Sequence, residues 1–248
     1  MTASDRPLEL YAFAPAWGLP SSGPFALKLM AWLGHVGIPY RHVIENRPEK
    51  GPLGKSPWVT LDDRAMGDSD AIMAELARRH RLDDPFAIRT AADARADATA
   101  TAFEERFHQI LEWELFVHPA GADGFRDLVA AALPRLLAGA VAARMRRHFR
   151  RQLHARGIGR LPSARIAETG RRQLDGLALV LSEGSGWIGR AGPGRADFAV
   201  WGQVAPLLAW PMRTPVADHA KGLPELQDWH LRILSHCLDA PTGQDHAA

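Results

Sequence analysis

The 248-residue chain is predicted to be an α+β protein of two parts, a small α/β domain followed by a larger all-helical one. Three observations predict this. Strand and helix signals alternate over roughly the first eighty residues. Past Asp83-Asp84-Pro85 no segment has strand character. The remainder is a series of long stretches in which apolar residues recur at three- and four-residue steps. The expected domains are 1–82 and 89–248, joined by a linker at 83–88.

The elements follow in order. Residues 8–13, Leu-Glu-Leu-Tyr-Ala-Phe, read as a strand, and the loop 14–23 is rich in Pro, Gly and Ser. From Pro24 the pattern turns helical, with Phe25, Leu29, Leu33 and Val36 on one face. Pro24 suits the first helical turn and Gly37 the stop. Tyr40–Ile44 reads as a second strand, Trp58–Leu61 as a third and 64–66 as a short fourth after the turn Asp62-Asp63. A helix is expected over Ser69–His80. The order is a crossover unit followed by a hairpin with a covering helix. In the second half, helices are expected at 91–116, at 125–154 with a bend at Pro134, and at 163–181, 195–208 and 223–238. Residues 243–248 read as a loose tail.

Composition narrows the class. The apolar share of 46% supports a sizeable core, and a formal charge of +2 supplies no global drive toward nucleic acid. The single cysteine, Cys237, excludes an intramolecular disulfide and a cysteine metal cluster, and it reads as a small core residue. No His pair has metal-ligand spacing, so no metal is expected. The polar start and the lack of an apolar run near 20 residues lead us to expect a cytoplasmic protein with no membrane segment. Arg144, Arg146, Arg147, Arg150 and Arg151 crowd one stretch, with Arg156, Arg160 and Arg165 after it. Nucleic acid or an anionic membrane is one reading of this run. A solvated helix flank, balanced by acids elsewhere, is the other and is preferred, because no aromatic platform interleaves with the arginines. Neither nucleic acid nor a membrane is expected as a partner.

The most informative stretch is Lys55-Ser56-Pro57-Trp58-Val59-Thr60-Leu61, followed by Gly67-Asp68-Ser69-Asp70-Ala71-Ile72. An X-Pro bond at a strand start leaves the preceding residue extended, and such a bond is a candidate for the cis form. The backbone of Ser56 is then open to an extended peptide. Asp68 and Ser69 stand at a helix N-terminus, beside free N–H groups and the positive end of the dipole. Such a pair can be a plain cap, or a cap that also meets the charged end of a ligand.

These segments, with Gly23-Pro24-Phe25-Ala26-Leu27-Lys28-Leu29 and Gly194-Arg195-Ala196-Asp197-Phe198, resemble the glutathione S-transferase superfamily over nearly the whole chain. Pro24–Leu29, Gly37-Ile38-Pro39-Tyr40 and Gly157-Ile158-Gly159-Arg160 are similar to its failed-axon-connections and metaxin-like branch. The resemblance implies a thioredoxin-like first domain that binds glutathione as co-substrate and a helical domain that holds a small hydrophobic electrophile. It implies that Ser56 and Pro57 take the cysteinyl backbone and that Asp68 and Ser69 take the γ-glutamyl end. Lys55 either pairs with the glycyl carboxylate or is an ordinary solvated lysine. His108 and Trp113 are expected pocket-wall residues, although such an apolar stripe is ordinarily core. A homodimer is common in the superfamily. Asp197 is expected to accept backbone N–H bonds and fix the loop 182–194, with Gly194 supplying only half of a reciprocal cap.

One departure bears on chemistry. In serine- and cysteine-type relatives the residue before Pro-Phe carries the catalytic hydroxyl or thiol, and here it is Gly23. A free thiol has a pKa of about 8.5, and lowering it by about two units takes roughly 2.7 kcal/mol. A helix N-terminus provides about 0.3–1 kcal/mol when exposed and up to about 2 when partly buried. A hydrogen bond to the charged sulfur adds about 1.5–3 kcal/mol. The helix alone therefore falls short, and Ser22, or failing it Ser21, is the expected catalytic hydroxyl. The alternative is that Pro20-Ser21-Ser22-Gly23-Pro24 is only a turn and cap. A transferase and a non-catalytic binding protein of the same fold both remain open.

Overall fold

Alternating residues in the first half bury one side of a four-stranded sheet. The computed structural model describes residues 8–131, 133–189 and 192–238, with Arg135 and Leu136 described in their backbone only. The expected loose tail lies outside the described residues. Strands β1 (Leu8–Ala12), β2 (Tyr40–Ile44), β3 (Trp58–Leu61) and β4 (Arg64–Gly67) lie in the order β2-β1-β3-β4. β2 runs parallel to β1, β3 antiparallel to β1, and β4 antiparallel to β3. Helix α1 (Pro24–Val36) makes the crossover between β1 and β2, and α2 (Ser69–His80) follows the hairpin. Pro24 opens α1, and Gly37 closes it at φ 70°, a left-handed conformation that costs glycine little. This is the α/β half the periodicity predicts.

The second half is helical among its described residues: α3 (Ala91–Ala102), α4 (His108–Glu112), α5 (Pro119–Ala130), α6 (Arg135–Ala155), α7 (Ser163–Glu183), α8 (Arg195–Ala209), α9 (Pro215–Lys221) and α10 (Pro224–Cys237). Three differences from the sequence expectation have physical causes. The long helix expected at 91–116 runs on to Val117 but contains two π-turns, Phe103–Phe107 and Trp113–Val117. The helix expected at 125–154 is two helices, with Pro134 as the N-cap of α6 and α5 starting earlier, at Pro119. Proline suits a helix start better than a helix interior, so both prolines mark beginnings. The short α9 has too few turns to show an apolar period.

One contiguous core joins the halves. Leu10, Leu27, Met30, Val59 and Ile72 from the sheet half are buried with Phe107, Phe198, Trp201 and Trp229. α1 packs against α8 and α10, while α2 packs against α1, β3 and β4. The α1–α8 approach is close at Gly202, where an added Cβ would lie 2.3 Å from the carbonyl oxygen of Pro24. Asp197 is fully buried and accepts from the backbone N–H of Ile188 (2.9 Å) and Gly194 (3.0 Å) and from Trp229 Nε1 (3.1 Å). It therefore ties the loop before α8 to α10, as half a capping box allows. Burial pushes its carboxyl up to about 6 despite those donors. Cys237 is buried, and burial pushes its thiol up to about 11, as for an inert core residue. No described helix is long and apolar enough to cross a membrane.

Candidate glutathione site

Strand register decides what lies at the end of the sheet. Trp58 opens β3 and faces Tyr11 on one side and Gly67 on the other. Residues one step further therefore sit together at that end. They are Pro57 and Ser56 before β3, Asp68 and Ser69 after β4, and the loop leaving β1 toward α1. The Ser56–Pro57 bond is cis. Pro57 is buried, Ser56 is half-buried, and the Ser56 hydroxyl is a buried oxygen with no protein partner. Lys55 is exposed.

Asp68 is the N-cap of α2 at φ 71°, and one carboxylate oxygen accepts from the N–H of Asp70 (3.0 Å) and Ala71 (2.9 Å). The Asp68 carboxylate remains exposed at the positive end of the helix, and Ser69 beside it is buried. The cap reading is therefore realised, and an exposed carboxylate remains beside it for a cationic group.

The loop before α1 is held by its own backbone and one hydroxyl. Ser22 N donates to Ala14 O (3.0 Å), and Ala14 N donates to Asn46 Oδ1 (3.1 Å). Ser21 is fully buried; its hydroxyl donates to Phe13 O (2.9 Å) and accepts from Gly23 N (3.2 Å). That hydroxyl is committed to shaping the turn. The Ser22 side chain is half-buried and has no hydrogen-bond partner among the described residues. Gly23 caps α1 without a side chain, and a Cβ there would meet the Phe13 ring at 3.0 Å. Tyr11 stacks on Trp58 (centroids 5.2 Å apart) and donates to Glu9 (2.7 Å); that bond, with burial, raises its pKa.

The helical half meets this end of the sheet through His108, whose ring lies 5.1 Å from that of Phe25 in the first turn of α1. His108 is fixed by Gln203 Oε1 at Nδ1 (2.9 Å) and by Glu112 at Nε2 (3.3 Å). Glu112 is in turn paired with Arg156 (3.2 Å). His108 thus stands at the junction of the halves. Trp113 is buried and packs edge-on against His118. No cluster of three or more metal-binding side chains occurs among the described residues.

Sequence reasoning missed an ionic cluster directly behind Ser69. Lys28, 1% exposed, donates to Asp70 and to Glu104 (2.5 Å). Arg195 donates to the same two carboxylates (3.2 and 3.3 Å) and to Asp97 (2.8 Å), with its guanidinium 4.9 Å from the centre of the Phe86 ring. Two cations and two shared acids therefore join α1, α2, the first π-turn and α8. The available signal was Lys28 itself, a charge inside the apolar run Phe25 to Leu33. A cavity of about 300 Å³ lined by Trp32, Phe86, Ile188 and Arg195 opens elsewhere on this junction, and none of the predicted site residues lines it.

Comparison with known proteins bears on the family and the fold. Residues 24–121 match the family model of the glutathione S-transferase N-terminal domain. The chain is 25% identical over 190 residues to the isoprene-epoxide–glutathione S-transferase of Rhodococcus sp. (strain AD45), covering 71% of this chain and 76% of that protein. It is 32% identical over 73 residues to Failed axon connections of Drosophila melanogaster, covering 29% of this chain and 18% of that protein. The solved structure of glutathione S-transferase III in apo form superposes with a TM-score of 0.56 at 18% identity, covering 93% of this chain and 92% of that one. The chain thus has the glutathione S-transferase fold; residues 24–121 resemble that family's N-terminal domain in sequence, and a 73-residue stretch resembles Failed axon connections.

Proposed function

We propose that the protein binds glutathione at the end of the sheet and transfers its thiol to a hydrophobic electrophile held against the helical half. The observation that carries this is the register. It sets the cis Ser56–Pro57 backbone, the Asp68-Ser69 helix start and the loop before α1 side by side. In this reading Ser56 pairs with the cysteinyl backbone and Asp68 meets the γ-glutamyl ammonium, while Ser69 donates to its carboxylate. Lys55 pairs with the glycyl carboxylate. Ser22 donates to the sulfur, because Ser21 is already bonded to Phe13. The thiolate forms a carbon–sulfur bond while the leaving bond of the electrophile breaks. With an epoxide, the class in the name of the Rhodococcus relative, the ring oxygen leaves its carbon with the electron pair and takes a proton from water. His108 forms the wall beside the reacting sulfur, and Trp113 backs that wall from the core.

A binding-only reading has one specific observation in its favour, the missing side chain at Gly23. Calorimetric titration with glutathione, followed by conjugation assays on a panel of epoxides and aryl halides, separates the readings. Binding with turnover above the buffer rate is expected. Ser22→Ala should lower turnover roughly 10- to 100-fold, the loss of one charge-assisted hydrogen bond. Binding without turnover leaves the binding-only reading, and no binding at millimolar glutathione refutes both the transferase and the glutathione-binder readings.

A further inference from the structure

Charge is distributed very unevenly along this nearly neutral chain. Between Asp127 and Glu168 there are nine arginines and no acidic residue, leaving 21 basic against 28 acidic side chains elsewhere. Acids elsewhere offset this run over the chain as a whole, but none lies within it. Among the described residues Arg144, Arg147, Arg150 and Arg151 have no ion pair, and Arg146 donates only to the carbonyl of Val117.

The fold sets this charge on one exposed helix face. α6 buries Ala138, Ala142 and Leu153 and packs against α5 and the second π-turn. Its outward face carries Leu137, Val141, Arg144, His148 and Arg151, spaced three and four residues apart and all exposed. Leu137 is 56% exposed and Val141 37%, with Leu133 at 40% just before the helix. The first turns of this face are therefore apolar and the later ones basic. The helix aromatic, Phe149, is not available to a partner, since it stacks on Phe116 at 3.9 Å.

We propose that this face of α6 docks on an anionic lipid surface, the leucines and Val141 entering the headgroup boundary and the arginines meeting lipid phosphates. A helix with an apolar edge beside an arginine row is the composition that lies in such an interface. Nucleic acid fits less well. A phosphate backbone gives Leu133, Leu137 and Val141 nothing to bury against, and no aromatic stands ready to stack a base. A second copy fits less well too, because a two-fold contact of this face would bury its arginines with no acidic residue between Asp127 and Glu168 to pair them.

The test uses the full chain in co-flotation with vesicles of phosphatidylcholine alone and of phosphatidylcholine with phosphatidylserine. Flotation only with the anionic vesicles, weakened by added salt, is expected. The triple variant Arg144→Glu, Arg147→Glu, Arg151→Glu should lose on the order of 100-fold or more in partitioning. The double variant Leu137→Ser, Val141→Ser should weaken it about 10-fold, and both should keep the wild-type urea midpoint because the residues are exposed. Equal flotation with neutral vesicles, no flotation at low salt, tighter binding to an oligonucleotide than to anionic vesicles, or full binding by the triple variant would each overturn the proposal.

Discussion

Replacing Gly202 by alanine tests whether packing between the halves sets the geometry of the proposed thiol site. A Cβ at residue 202 would lie 2.3 Å from the Pro24 carbonyl oxygen and 3.2 Å from the Lys28 amide nitrogen, and both are backbone atoms of α1. Ordinary contact begins near 3.4 Å. No rotamer relieves the overlap, so α8 and the start of α1 must separate by about 1 Å. Overpacking of this kind costs about 1–3 kcal/mol of stability. The larger effect is expected in function. The displaced segment is the helix start that Ser22 and Gly23 lead into, and a misplacement of about 1 Å can cost roughly 10²-fold in rate. The assay is kcat/KM for glutathione conjugation of an epoxide, read beside a urea denaturation curve. Gly176→Ala serves as control, since nothing lies within 4 Å of its added Cβ in the interior of α7. It should stabilise by up to about 1 kcal/mol through helix propensity and leave turnover unchanged. If Gly202→Ala keeps both stability and turnover within twofold of wild type, the claim that the α1–α8 approach positions the site is wrong.

Lys28→Met should cost about 3 kcal/mol, the lower end for breaking a buried ion pair, because Asp70 keeps some access to water. With Arg195→Met it should give less than the sum of the single losses in a double-mutant cycle, since both cations serve Asp70 and Glu104; strict additivity would argue against a shared cluster. His230 accepts from Trp201 Nε1 (2.9 Å), and burial lowers it to about 4. A histidine held below its unfolded value of about 6.5 contributes stability above that pH and loses it as pH falls toward 4. Asp197, raised to about 6, has the opposite slope, since its contribution falls as pH rises from about 4 to about 6. The contributions of His230 and Asp197 should therefore oppose each other across that window. His230→Gln should improve relative to wild type by on the order of 2–3 kcal/mol between about pH 7 and about pH 4.5, measured by urea denaturation. A gap that does not change with pH would sink this assignment.

The parts of this molecule that were readable in the chain are those in which one residue type has one local consequence. Apolar steps gave α1 and α2, and Gly37 gave the stop. Pro57 before a β-rich run gave the bent strand start, and of the pair Asp68-Ser69 the structure makes Asp68 the cap. What stayed hidden depends on partners distant in sequence. The sequence ranks Ser22 ahead of Ser21 without showing what either hydroxyl bonds to. Only the position of the Phe13 carbonyl uses one hydroxyl and leaves the other unbonded. The π-turns carry the buried Phe103, Phe107 and Trp113, and no regular period reveals them. Lys28 shows the same limit most sharply. Its place in an apolar helix looks like an error of pattern until Asp70, Glu104 and Arg195 arrive from other elements. A buried charge is tolerable only when its partners are fixed in advance, so these four residues require the two halves to be docked before the cluster can form. Asp70 follows Ser69 directly. Docking of the helical half is thereby bound to the γ-glutamyl end of the proposed site, and the halves should melt as one cooperative unit that glutathione stabilises as a whole.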